Sequence, residues 1–351
     1  MKKLACLTLA LVMVLSVASF AQAESKLPVV GISTGSSGST FRYTMLQALV
    51  EVGDEYVAAG RIDSYNIVDN VNNGDAAEQI NIIRDFIDMG VDIILLNPNS
   101  SDALNGAIAE AIEEGITVMA YDGTCTAEGV ITVQVSPYAW NEAQVSYMAE
   151  KMGGKGTIVD IYGLDGHPGN IQRLAARDDV LAKYPEMKIE AQTSGGWDQT
   201  TAKDAMAQYL ASGLRPDAVF TQDSMAYGVL SACLDADFVP KYMIGEPGTA
   251  FVKLWKQLVD EGKDFTACAM PNPPGISGTA FRLAVNMFEG KELAEGTLVG
   301  ANDADTFYYV CAGFFTNDNL DELYEALKDK PDDYLYSEYI TEDALQEYFV
   351  G

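Results

Sequence analysis

After Ser25 the chain alternates short apolar runs with longer stretches whose apolar residues recur at helical spacing. Few folds tolerate this rhythm. A strand followed by a helix and another strand places consecutive strands parallel, and a parallel sheet must be covered by helices on both faces. The first series predicts strands at Pro28–Thr34, Tyr65–Asp69, Asp92–Pro98, Thr117–Asp122 and Val130–Val135. Helices are expected at Phe41–Ala59 (apolar positions Met45, Leu49, Val52 and Tyr56), at Ala76–Met89 (Ile80, Ile83 and Ile87, capped by Gly90) and at Asp102–Glu114. A second series has strands at Thr157–Tyr162, Lys188–Gln192, Asp217–Thr221, Tyr242–Ile244 and Phe265–Met270. Its helices fall at Asn170–Lys183, Thr200–Ala211, Ala226–Asp235 and Phe251–Asp260. Two such series predict an α/β protein of two doubly wound parallel-sheet lobes.

The end of the chain breaks this order. Gly278–Phe288 reads as a helix, Thr306–Phe315 as one long strand, Asp318–Lys328 and Thr341–Phe349 as helices, and Lys330-Pro-Asp-Asp333 as a turn. This material has no counterpart in a single doubly wound unit, so it returns to the first lobe or crosses between lobes.

The start reads as a leader at 1–23: Lys2 and Lys3, an apolar run Leu4–Phe20, then Ala21-Gln-Ala23. Cys6 lies too early for lipidation, so a periplasmic or extracellular product is expected. Export permits disulfides among Cys125, Cys233, Cys268 and Cys311, but four cysteines allow three full connectivities, and free buried thiols are an equal alternative.

Composition narrows function. Lys and Arg number 22 against 51 Asp and Glu, a formal net charge of −29. A polyanion partner needs a basic surface to displace its counterions, so nucleic acid is excluded as a partner and anionic membrane is disfavoured. Charged residues make up only 21% of a chain that is 48% hydrophobic, so it buries a full core rather than staying disordered. The single histidine, His167, rules out a His-rich metal site and leaves little room for a His-based triad. The Gly35–Arg42 loop carries no P-loop Lys and no GxGxxG pattern, so neither cofactor nor metal is expected.

In open parallel sheets ligands bind beyond the carboxyl ends of the strands. Phe41 and Arg42 follow the first strand, and Asp122 ends the fourth. In the second series Asn170 and Arg173 follow the first strand and Trp197, in a Gly-rich loop, the second. Gln222 and Asp223 end the third, Glu246 the fourth and Asn272 the fifth. Polar groups at strand ends with aromatics from both lobes suit the hydroxyls and C–H faces of a sugar. A secreted glycosidase with paired carboxylates is a competing reading, weakened because so acidic a chain makes a chance pair easy.

At these residues the chain resembles the bacterial periplasmic sugar-binding proteins of the ribose/galactose type, the solute receptors of ABC importers. The resemblance rests on the order of several segments. They are Gly31-Ile-Ser-Thr34 with its Gly/Ser loop and Phe-Arg, Ile87-Asp-Met-Gly-Val-Asp-Ile-Ile-Leu-Leu-Asn-Pro98, Val118-Met-Ala-Tyr-Asp122, Phe220-Thr-Gln-Asp-Ser-Met-Ala-Tyr-Gly228 and Asn317-Asp-Asn-Leu-Asp321. It implies the type I periplasmic-binding-protein fold, with two lobes joined by a three-strand hinge near Val135–Tyr138, Pro271–Gly275 and Tyr308–Phe315. Lobe 1 is then 24–135 plus 275–306, and lobe 2 is 136–270 plus 312–351 with the C-terminal extension. The resemblance implies a monosaccharide ligand and delivery to an importer permease with its ATPase; the alternatives are delivery to a chemoreceptor or sensor kinase, or a non-sugar ligand such as a nucleoside, an amino acid or a signalling polyol. Phe41 and Trp197 fall on the stacking positions, Asp122, Arg173 and Gln222-Asp223 on polar ones. Departures from the pattern are Gly123 in place of an Arg, Pro247 with Glu246 beside it in place of an Asp, Ala269 or Met270 in place of a Gln, and Ser136-Pro137 in place of an Asp-Asn pair.

Overall fold

The computed structural model describes residues 26–35, 40–69, 75–301, 304–309 and 313–351. The expected leader and Cys311 lie outside these residues, and so does most of the Gly/Ser loop before Phe41.

The chain first runs β1 (Val29–Thr34), α1 (Thr40–Ala58), β2 (Ser64–Asp69), α2 (Ala76–Met89), β3 (Ile93–Leu96), α3 (Asn105–Glu113), β4 (Thr117–Tyr121) and β5 (Ile131–Val135). It continues α4 (Pro137–Lys151), β6 (Lys155–Tyr162), α5 (Pro168–Leu181), β7 (Glu186–Ser194), α6 (Gln199–Ala211), β8 (Ala218–Thr221), α7 (Ala226–Asp235), β9 (Tyr242–Gly245), α8 (Thr249–Asp260) and β10 (Thr266–Ala269). Last come α9 (Ile276–Phe288), β11 (Leu298–Ala301), β12 (Ala304–Tyr309), β13 (Phe315–Thr316), α10 (Leu320–Leu327) and α11 (Glu342–Leu345).

Two sheets result. One has the order β11-β12-β5-β4-β3-β1-β2, the other β13-β10-β9-β8-β6-β7. Pairing is parallel throughout except at the edges, where β11 and β13 run antiparallel to their neighbours. Both sheets are covered on both faces, so the apolar core divides into four clusters, two per sheet. The central strands β3 and β8 are buried at every residue, which is why they read as continuous apolar runs.

Local chemistry explains most boundaries. Asp75 caps α2 by accepting from the Ala77 amide at 2.8 Å, and Gly90 ends it in the left-handed conformation at φ 68°. The buried face of α2 is Gln79, Ile82, Ile83 and Phe86, rotated from the expected Ile80–Ile83–Ile87 stripe. Phe86 lies flat on β1 at Gly31, where a Cβ would stand 2.7 Å from the ring. The expected face of α1 is met, with Met45, Leu49, Val52 and Tyr56 all buried.

Three features differ from expectation. Helix α4 follows directly on the first lobe's last central strand and packs on β9 and β10 of the other sheet. The expected strand Thr306–Phe315 is two strands in two sheets, β12 beside β5 and β13 beside β10. The tail 312–351 does not stay with the second sheet. Residues up to Tyr336 pack there, whereas Tyr339, Leu345 and Phe349 join the core of the first. The chain therefore passes between lobes at Ser136, at Met270–Gly275, between the end of β12 and the start of β13, and again at Ser337–Glu338. Cys125, Cys233 and Cys268 are free and buried.

Candidate functional site

A cavity of about 900 Å³ lies between the two sheets, within the range of small-molecule clefts. The carboxyl ends of both sets of parallel strands open into it. Phe41, Arg42 and Asp122 line it from the first lobe, Arg173, Trp197, Asp223 and Glu246 from the second, and Asn272 from a crossing segment.

On the first lobe, the Arg42 guanidinium meets the Asp122 carboxylate at 2.9 Å and also donates to the Asn97 side-chain oxygen. Asn97 in turn donates to the Tyr121 carbonyl at 2.9 Å and the Asp122 carbonyl at 3.3 Å, tying the ends of β3 and β4 together. Beneath it Gln79, fully buried, donates to the Asn97 carbonyl at 2.8 Å and accepts from the Asn99 amide at 2.9 Å. Desolvation in the cleft raises the Asp122 pKa. Arg42 opposes that rise, Asp223 of the other lobe adds to it, and Arg173 opposes it.

On the second lobe, Arg173 holds Asp223 at 2.8 Å and lies flat against the Trp140 ring, 4.2 Å from its centroid. Trp140 is fully buried in α4, and its indole N–H points at the carbonyls of Met270 and Pro271 at 3.1 and 3.2 Å. The arginine that faces the cleft thus rests on a ring that grips a crossing segment. Trp197 is held by its N–H on the Gln222 side-chain oxygen at 3.1 Å and by an edge contact with His167, 4.8 Å between centroids. Gly163 makes room for the indole: a Cβ there would stand 2.2 Å from Trp197 Nε1.

Two expected ligand residues stand behind the cavity wall. Asn170 accepts from the Gly163 amide and from the Gln222 side-chain amide, each at 3.1 Å. Gln222 accepts from Trp197 and, at 3.4 Å, from Arg173. Both orient the residues that reach the cleft. Glu246 lies at the cavity and is buried, and the Asn272 backbone amide bonds its carboxylate. Burial and the Asp223 charge raise its pKa well above the usual carboxylate range, against the pull of Arg173.

Asp122, Trp197 and Asp223 all adopt left-handed backbone, at φ 49°, 59° and 49°. Among the described non-glycine residues only Asp237 does the same. Left-handed backbone at non-glycine residues clusters where surrounding structure over-determines a functional geometry. Polar atoms without a protein partner cluster here too. Arg173 Nε, Asp223 Oδ1 and Glu246 Oε2 are all buried and unbonded. Buried polar groups are nearly always paired, and with Asn99 Nδ2 four of the ten such side-chain atoms among the described residues belong to residues that line this cavity.

His167, Asn99 and Tyr227 also line the cavity, beyond the residues expected from sequence. Asn99 was within reach of the strand-end rule, being three residues past β3. His167 caps α5 by accepting from the Gly169 amide at Nδ1, 3.1 Å, which leaves Nε2 as the donor. Desolvation, then Arg173, lowers its pKa, so it is neutral at pH 7.

Residues 30–292 match the family described as the periplasmic binding protein domain. The xylitol-binding protein of Mycolicibacterium smegmatis is 30% identical, over 78% of this chain and 74% of its own. The ribose import binding protein of Salmonella typhimurium is 25% identical, over 79% and 90%. A solved ABC transporter solute binding protein from Thermobispora bispora superposes with a TM-score of 0.71 at 26% identity, over 91% of this chain and 94% of that one. Strand-end polar groups on two doubly wound lobes, a cleft between them, and this match over most of the chain place the protein in the periplasmic binding protein family.

Proposed function

We propose that the protein captures a monosaccharide or closely related polyol in the cleft by closure of its lobes, and passes it to an ABC-type importer permease. The observation that carries this reading is the convergence, from opposite lobes, of the Arg42–Asp122 and Arg173–Asp223 pairs. Beside them lie the unpartnered Arg173 Nε, Asp223 Oδ1 and Glu246 Oε2. A carboxylate accepts from a hydroxyl while a guanidinium donates to the same or the next oxygen, so a row of adjacent hydroxyls satisfies both members of each pair. Trp197 and Phe41 supply apolar faces for the C–H side of such a ligand. The carboxylates around the cavity outnumber its cations, which disfavours sugar acids and sugar phosphates.

Relatives named for xylitol and for ribose support the same class, since both present neighbouring hydroxyls on a short carbon chain. Their designation as binding proteins supports capture rather than turnover. The basic-apolar start of the sequence supports a periplasmic site of action.

Calorimetric titration against xylitol, D-ribose, other pentoses and hexoses, myo-inositol and a sugar acid tests the proposal. Saturable binding of at least one neutral member, with no turnover and no binding of the acid, is expected. A folded protein that binds none of them overturns it.

A further inference from the structure

The tail after α10 joins the two lobes a fourth time. Its first half is laid on the second lobe against the loop that follows Glu246. The Thr249 amide donates to the Tyr334 carbonyl at 2.9 Å, the Ala250 amide to Asp332 at 3.2 Å, and the Tyr336 amide to the Pro247 carbonyl at 3.0 Å. Leu335 is buried there, and Tyr336 packs edge-on against Phe315 at 5.2 Å. Asp332, Asp333 and Leu335 line the cavity, so this half forms part of the cleft wall.

Its second half is fastened to the first lobe by different means. The Ile340 amide donates to the Thr279 hydroxyl at 3.0 Å. Glu342 accepts from the Tyr56 hydroxyl, lies 2.9 Å from Arg61 and 3.6 Å from Arg282. Leu345 and Phe349 are buried in the core beside α1 and α9. The two anchors are separated only by Ser337 and Glu338. From Tyr336 to Tyr339 even a fully extended chain spans about 10 Å. That short piece presses on the second crossing, where a Cβ at Gly275 would stand 2.3 Å from the Glu338 carbonyl oxygen.

We propose that residues 331–349 form a strap that limits how far the cleft opens, and that registers the Glu246 loop against the first lobe. Hinged closure needs crossings that absorb backbone rotation. A short link anchored on both sides adds a length limit to that rotation, and its attachment at Pro247 lies one residue from a carboxylate at the site. The strap rests on the binding-protein reading only in that the cleft opens. It holds for any ligand, and its test uses ligand-free protein, so its failure and a failure to bind sugar are separate results.

Gly/Ser inserts of increasing length between Ser337 and Glu338 lengthen the strap and leave both anchors intact. Small-angle scattering of the ligand-free protein is expected to show the radius of gyration rising with insert length. The same inserts at Gly262, in the exposed turn after α8, are expected to leave it unchanged. A folded strap-insert protein with the scattering of the parent overturns the proposal. Glu342→Gln keeps the chain length and loosens the first-lobe anchor. Faster hydrogen exchange over 339–349 with a scattering shift in the same direction is expected, and faster exchange with unchanged scattering counts against the strap even if an insert fails to fold.

Discussion

Trp197 sits where a bulky side chain is least comfortable, directly after Gly196, in a second successive left-handed position (φ 62° and 59°). The turn is secured from outside: Asp198 caps α6 by accepting from the Thr201 amide at 2.7 Å, and Ser224 donates to the Trp197 carbonyl at 3.2 Å. The fold itself thereby holds the indole at the cleft. Trp197→Ala is expected to weaken ligand binding by about 1–2 kcal/mol, read by titration calorimetry, with little change in the unliganded melting temperature. Glu246 makes a pH prediction. Its carboxyl has a raised pKa in the folded state, so the stability it contributes is fully present below its unfolded value and is lost as pH rises through the folded value. Glu246→Gln cannot ionise. Its melting temperature is therefore expected to gain on the parent as pH rises from 4 toward 8, and a constant offset across that range would contradict the assignment.

At the scale of elements, helices with a clean apolar stripe were legible and one without it was not. Helix α1 shows its buried face openly as Met45, Leu49, Val52 and Tyr56. Helix α4 buries Asn141 and Gln144 beside Trp140, Val145 and Met148, so its inner face carries no apolar period. Those amides have local work: Asn141 donates to the Arg173 carbonyl at 2.6 Å and Gln144 to the Trp140 carbonyl at 3.3 Å. The strand-end rule found most of the charged and aromatic residues that reach the cleft because topology puts them there, and it missed Asn99, His167 and Tyr227. It could not tell Arg173 and Asp223 from Gln222 and Asn170 behind them, since that distinction depends on which way neighbouring side chains turn. Two element-scale predictions follow from packing. Gly163→Ala forces the Trp197 ring off the end of β6 and is expected to weaken ligand binding about as much as removing the ring. Arg177, nearly buried, pairs with Asp160 inside the second lobe. Arg177→Ala leaves that carboxylate unpaired, and a loss of about 3–5 kcal/mol in chemical denaturation is expected.

For the whole molecule, ligand capture and stability are linked. A ligand held only by the native protein at about a hundred times its dissociation constant stabilises it by about 2.7 kcal/mol, so a binding sugar is expected to raise the melting temperature and an inert one to leave it unmoved. The two-lobed plan was legible because each βαβ unit announces itself locally. The path of the tail was not, because Tyr339, Leu345 and Phe349 choose a core assembled from residues far away in sequence. That choice has a consequence for the order of folding. The first lobe's core draws on α1, on α9 and on residues within the last turn of the chain. A nascent chain therefore cannot finish its first lobe until Phe349 has been made, after Leu327 and Tyr336 have supplied the second lobe's core. Contacts of such long sequence separation fold slowly. Until Leu345 and Phe349 are in place, the apolar surfaces of α1 and α9 that they help to cover stay open to solvent.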